Sequence, residues 1–296
     1  MIYEIFHSTV YRYFDAVTIS QNLAHLRPRQ SPRHTWKRSE LAIDPTPTNI
    51  SDRIDVFGNP ITFFALQEAH YGLAVTSSGL VDVQPTVTIA PASTRSWEQV
   101  AQNISCMTDE VCLATQFVYE SAFVKPSPEL TQYAAKSFTQ GRPVLEAAMD
   151  LMHRIFTDFK FDARATTITT PVEDVFTMRR GVCQDFAHLM IGCLRTLGLP
   201  ARYVSGYILT RPASGSDKPR LIGGDASHAW VSVYCGEAGW IDLDPTNDKL
   251  VSDQHITVAW GRDFGDVSPI QGIILGGKRH SLAISVDVCP LASAAA

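Results

Sequence analysis

The chain has 296 residues, 45% of them hydrophobic and 19% charged, with a formal net charge of −5. That length and apolar share can bury one large core or two ordinary ones, and the acidic balance offers no basic field for a phosphate backbone, which argues against nucleic acid as a main partner. The opening stretch MIYEIFHSTVYRYF has no basic start and no small-residue cleavage site, and nowhere do ~18 apolar residues run uninterrupted, so the expectation is a cytoplasmic protein with no membrane partner.

Residues 2 to 90 are rich in Val, Ile, Thr, Tyr and Phe in short runs, broken by Asp44-Pro45-Thr46-Pro47 and Gly58-Asn59-Pro60. They predict an N-terminal β-rich domain over 1–90, sandwich-like in character. From residue 91 the texture turns helical. Ser96-Trp97-Glu98-Gln99 has the form of a capping box, and Ser127-Pro128-Glu129 places a cap residue before a first-turn proline. A helical connecting segment is therefore expected over 91–142. A further helix follows from Pro143 to Phe159, with Val144, Leu145, Ala148, Met149, Met152, Ile155, Phe156 and Phe159 as its apolar stripe. The second domain is assigned to 143–296, and helices followed by strands make it α+β.

RRGVCQDFAHLMIGCLRTLGLPARYVSGY, residues 179–207, begins as a loop and passes into a helix. Cys183, Phe186, Ala187, Met190, Leu194 and Leu197 share one face, and Gly198 and Pro200 end it. Cys183 stands in the first turn, where unpaired N–H groups and the positive end of the dipole favour a thiolate. Gly181 before it leaves room for close backbone approach. Read alone, Cys183 could equally be a small buried hydrophobe, the role that fits Cys193.

Strand signals return in ARYVSGYIL, HAWVSVYC, GWIDLDP, HITVAWG and HSLAISVDV. Residues 211 to 224, rich in Pro, Gly and Ser, read as a mobile loop opening onto His228. In SHAWVSVYC and GWIDLDP, matching the apolar faces of a hairpin pairs 233 with 241 and 231 with 243. His228 and Asp244 then lie diagonally on one face, with Cα atoms roughly 7 Å apart. A thiol at a helix mouth, a histidine at a strand start and an aspartate on the next strand are the parts of a nucleophile, base and orienter arrangement.

GVCQDFAHL, ARYVSGY, DASHAWV and GWIDLDPTND together resemble the core of the bacterial transglutaminase-like proteins. IFHSTVYRYFD with LRPR resembles the β-domain that precedes that core, and WGRDFGDVSPIQG agrees with its later elements. The resemblance implies a papain-like core with Cys183 as nucleophile, His228 as base and Asp244 as orienter. The chain departs from the animal transglutaminases in having no tryptophan between Trp97 and Trp230, which leaves the second oxyanion donor unassigned, and in having no D-x-D-x-D-G calcium loop. Gly181-Val182 also differs from the paired glycines of arylamine acetyltransferases, which disfavours coenzyme A. Six scattered cysteines without C-x-x-C and nine histidines without H-E-x-x-H give no metal signature either, so no cofactor and no metal are expected. Asp185, His188 and Trp230 are further candidates for the substrate pocket. The leading expectation is a thiol-dependent amide or isopeptide hydrolase acting on a peptide or amide through an acyl-enzyme. The alternatives are a protein-glutamine transamidase and a non-catalytic binding or assembly module.

Overall fold

The first strand, β1 (Ile2–Ala24), is long enough to serve two halves of one sheet. It alternates Tyr3, Ile5, His7 and Thr9 inward, the period-two pattern of a strand with one covered face. Its register slips between Arg12 and Val17, where the strand changes partners. A computed structural model describes residues 1–86, 88–104, 113–209 and 227–291 of the chain. Four strands follow β1 in the N-terminal module: β2 (His34–Asp44), β3 (Asn49–Ile54), β4 (Pro60–Leu66) and β5 (His70–Val83). The order is β2-β5-β1-β4-β3, all antiparallel. Phe64 and Leu66 from β4 share a small core with Leu73 and Val75 from β5 and Val17 from β1.

Helices α1 (Trp97–Asn103), α2 (Pro128–Ala135) and α3 (Val144–Asp158) come next. Ser127 caps α2 as expected, accepting from the Leu130 N–H at 3.3 Å. Ser96 occupies the N-cap of α1, but its side chain makes no cap bond. In α3 the buried face is Val144, Leu145, Ala147, Ala148, Leu151, Met152 and Ile155, whereas Phe156 is 48% exposed. The stripe is thus turned toward Ala147 and Leu151, because α3 packs against a helix on one side and strand residues on another and needs a wider apolar arc.

The remaining elements are β6 (Lys160–Phe161), α4 (Val172–Met178), β7 (Arg180–Gly181), α5 (Cys183–Thr196), β8 (Ala201–Ile208), β9 (Ser227–Tyr234), β10 (Trp240–Asp244), β11 (Lys249–Leu250), β12 (His255–Gly261), α6 (Phe264–Val267), β13 (Ile270–Gly276) and β14 (His280–Pro290). A five-stranded antiparallel sheet runs β11-β10-β9-β8-β12. The hairpin register is the expected one, with Val233 opposite Ile241 and Val231 opposite Leu243. Helix α5 is buried on nearly every side from Asp185 to Arg195, among α2, α3, α4 and strands β8 and β9. Its buried Arg195 is satisfied by the carbonyls of Phe117, Ala201 and Arg262 and by the Ser121 hydroxyl, as a charge out of water must be.

One difference from the sequence division stands out. Strands β13 and β14, assigned above to the 143–296 module, pair with β1 and complete the N-terminal sheet at seven strands. Val286 and Val288 join Tyr3, Ile5, Val81 and Val83 in the same core as α3, α5 and β9. The modules are therefore interlocked rather than strung in sequence. Among the described residues no helix is long and apolar enough to cross a membrane. Cys106, Cys112 and the 211–224 loop lie outside the described residues.

Candidate active site

Helix α5 opens at Cys183, which is partly exposed and a free thiol. What fixes the opening is Asp185. Its Oδ2 accepts the Val182 N–H at 2.8 Å and the Thr166 hydroxyl at 2.6 Å, half of a reciprocal cap. Burial raises the proton affinity of this carboxyl, partly offset by the two hydrogen bonds. Gly181 is required sterically: a Cβ there would lie 2.6 Å from Asp185 Oδ2 and 2.8 Å from its Cβ. The close approach expected at Gly181 is thus an approach by Asp185, and that carboxylate shapes the helix mouth. Gln184 is turned aside, donating to the Ile168 carbonyl at 3.1 Å.

His228, near the start of β9, meets both other members of the expected set. Its Nε2 lies 2.8 Å from Asp244 Oδ2, and the ring also interacts with the Cys183 side chain. Burial alone would strip the proton from this imidazole. The bond to Asp244, the bond to Cys183 and the charges of both outweigh that and hold its pKa up at about 9. The ring is thus set to be an imidazolium at neutral pH.

Asp244 ends β10 with its side chain sealed from solvent. Burial opposes its charge, but donors from several directions reverse the balance and hold the carboxyl well below the usual range. Oδ2 accepts from His228, from Asn247 Nδ2 at 2.6 Å and from His255 Nε2 at 3.2 Å, while Oδ1 accepts the Thr246 N–H at 2.9 Å. Asn247 and His255 were not singled out in the sequence. Asn247 sits in the turn directly after Asp244 in IDLDPTND, and a polar residue there was a readable signal. His255 reaches Asp244 from β12, the opposite edge of the sheet, and no local pattern encodes that.

The reach depends on Gly206. It pairs with His228 on one side and Thr257 on the other, and a Cβ there would strike the Ile256 carbonyl at 2.2 Å and the Trp230 ring at 2.6 Å. The missing side chain lets the Trp230 ring lie across β8 and meet His255 edge-on at 5.4 Å.

Of the pocket candidates, Trp230 shares the His228 face as expected and contacts its ring at 6.1 Å, but it is fully buried, donating to Asp242 Oδ2 at 3.3 Å. His188 is buried between Phe123 and Tyr203 and accepts the Phe264 N–H on Nε2 at 3.1 Å. Burial, opposed by the charge of Asp263, lowers its pKa to about 4, so it is a neutral ring.

Among the described residues, His228, Asp244 and His255 form the grouping whose ligating atoms fall within 4.8 Å of one another. Each of those atoms is buried and already engaged in a hydrogen bond. The trio fits a closed network better than an ion, which needs an entry path and deprotonated nitrogens.

The family described as the Transglutaminase-like superfamily matches residues 131–245, and the Bacterial transglutaminase-like N-terminal region matches residues 3–82. An uncharacterized protein of Mycobacterium tuberculosis is 43% identical over 297 residues, covering 97% of this chain and 92% of the relative. A second, from Mycobacterium leprae, is 33% identical over 97% of this chain and 98% of its own length. A protein-glutamine gamma-glutamyltransferase of Pseudomonas aeruginosa is 37% identical over 76 residues, 24% of this chain and 11% of that protein. In structure, a Cytophaga hutchinsonii protein described as a candidate cysteine protease superposes with a TM-score of 0.75 at 21% identity, covering 100% of this chain and 92% of that one.

Proposed function

Because the chain belongs to the transglutaminase-like superfamily, we propose that it is a thiol enzyme that cleaves an amide or isopeptide bond through an acyl-enzyme on Cys183. The observation that carries the reading is the His228 ring, which bonds a sealed Asp244 carboxylate at 2.8 Å and interacts with the Cys183 side chain at the mouth of α5. The Cys183 thiolate attacks the carbonyl carbon, and the carbonyl π electrons move onto oxygen. N–H groups at the start of α5 are suited to receive that oxyanion. When the intermediate collapses, the C–N bond breaks and the His228 imidazolium gives its proton to the leaving amine. The ring, now neutral, takes a proton from an incoming water, whose oxygen attacks the thioester. Collapse then expels the thiolate, releases the acid and restores the imidazolium. Asp244 keeps the ring oriented and stabilises its charge throughout. The four described cysteines are free thiols, which suits the cytoplasmic setting suggested by the sequence.

A second reading is supported by the local similarity to the Pseudomonas aeruginosa glutamyltransferase. In it a primary amine replaces water in the last step, and all three residues keep their roles. One experiment separates these outcomes. Peptide, glutaminyl and isopeptide substrates are incubated in heavy-oxygen water with millimolar primary amine, with Cys183→Ala as control, and the products are weighed by mass spectrometry. The expected result is acid carrying one heavy oxygen. Dominant amine adducts would replace hydrolysis by transamidation, and no Cys183-dependent product from any substrate would leave a binding module.

A further inference from the structure

The carboxylate that orients His228 has a second imidazole on the same oxygen. His255, the first residue of β12, has no solvent exposure and places Nε2 3.2 Å from Asp244 Oδ2. Its other ring nitrogen, Nδ1, accepts the Ser252 N–H at 3.3 Å, which leaves Nε2 as the nitrogen that carries the proton. Trp230 packs edge-on against the ring. The His255 carbonyl lies 3.2 Å from Nε2 of His34, on β2 of the N-terminal module.

We propose that His255 is a positioning residue for the Cys183 reaction, a neutral N–H donor that keeps Asp244 ionised and aimed at His228 and that ties this alignment to the N-terminal module. The inference rests on the reading of the preceding section. Asp244 is sealed from solvent. A carboxylate without water depends on protein donors for its charge, and each one removed leaves the anion less compensated. The donor must also be neutral. A second imidazolium on the same oxygen would compete with the first for the carboxylate and repel it, lowering the proton affinity that His228 needs as an acid. Burial supplies that neutrality, because it pushes the His255 pKa down against the pull of Asp244. A ring needed only to fill space beside Trp230 would have no use for a polar atom at this position.

The test compares two substitutions that separate donor from filler. His255→Gln keeps an amide N–H close to the position of Nε2, and His255→Phe keeps an aromatic ring and removes the donor. The rate of Cys183 alkylation by iodoacetamide at pH 6 is measured in each, beside the melting temperature. The expectation is a rate within about threefold of the parent for Gln and a loss of about tenfold or more for Phe, the scale seen when partners one shell out from a reacting group are removed. Phe equal to or better than Gln, or both variants matching the parent, would overturn the assignment. Should Phe fail to fold, nitrogen-15 NMR of the parent protein decides. The expected spectrum shows His255 as the neutral Nε2–H tautomer from pH 5.5 to 8, and an Nδ1–H tautomer or a titrating ring overturns the proposal. If Cys183 in the parent labels no faster than Cys289, the nucleophile reading fails instead, and the NMR result still judges His255 independently.

Discussion

The mouth and the interior of the catalytic helix candidate α5 set the same residue types in different surroundings. At its mouth, partly exposed Cys183 meets His228, a buried imidazole held protonated with a pKa of about 9. One to three turns further in, His188 is pushed down to about 4 and Cys193 up to about 12, both by burial. Burial acts on all of these buried groups in the same sense, against charge. What separates the two histidines is the partner. His228 hydrogen-bonds a carboxylate that is itself held by Asn247, His255 and turn amides, whereas His188 is bonded to a backbone N–H between two aromatic rings, and the charge of Asp263 does not outweigh its burial. On the proposed reading, reactivity at the mouth of α5 comes from the second strand of a hairpin and not from the helix alone.

The strongest way to break this contrast is to remove the charge of the partner. Asp244→Asn should lower turnover by about 10²-fold or more, because the amide cannot stabilise an imidazolium. It should also lower the melting temperature, since the new N–H group faces donors from His228, His255 and Asn247 that a carboxylate satisfies. Unchanged turnover would move the orienting role to another group.

The contrast also predicts stability slopes of opposite sign. His188 binds its proton less tightly folded than unfolded, so its contribution is full above pH 6.5 and is lost as pH falls toward about 4, as for His7 and His34. His228 binds its proton more tightly folded, so its contribution is full below pH 6.5 and is lost as pH rises through about 9. Each is on the order of 1–3 kcal/mol. Urea denaturation from pH 4 to 10 should give a maximum between those limits. His228→Gln should flatten the alkaline side and leave the acid side in place. An unchanged alkaline slope in that variant would contradict the charged state of His228.

A smaller effect tests the mouth of the helix. Thr166→Val removes one of the donors to Asp185 while the Val182 N–H remains, and should cost about 1 kcal/mol of stability. That is roughly 2–4 °C in melting temperature. A loss of turnover well beyond the loss of stability would mean that Asp185 does more than cap the helix.

The hairpin was legible in the sequence for a physical reason. Alternating apolar residues in SHAWVSVY and GWIDLD admit a single register with one covered face, and that register carries His228 to Asp244. Cys183 was legible from the helix boundary. The pairing of β13 and β14 with β1 was not, since a strand pattern states that a residue faces inward but not which distant strand lies beside it. His255 was hidden for the same reason. HITVAWG reads as a plain strand, and only the gap left by Gly206 brings its first residue into the ring cluster that surrounds Asp244. Phe156 was misplaced on the buried stripe because helical periodicity fixes an apolar arc without fixing its width.

The central claim, that the hairpin partner turns the helix mouth into a nucleophile, is tested most directly by competitive thiol labelling. Native protein is treated briefly with iodoacetamide at pH 6, and the modified cysteines are mapped by peptide mass. Cys289 is exposed and serves as the internal reference for an ordinary thiol, while buried Cys193 and Cys235 should stay unmodified. Paired with His228, Cys183 is expected to be alkylated first and well ahead of Cys289, with the advantage lost in Asp244→Asn. Labelling of Cys289 or Cys235 ahead of Cys183 would contradict the account.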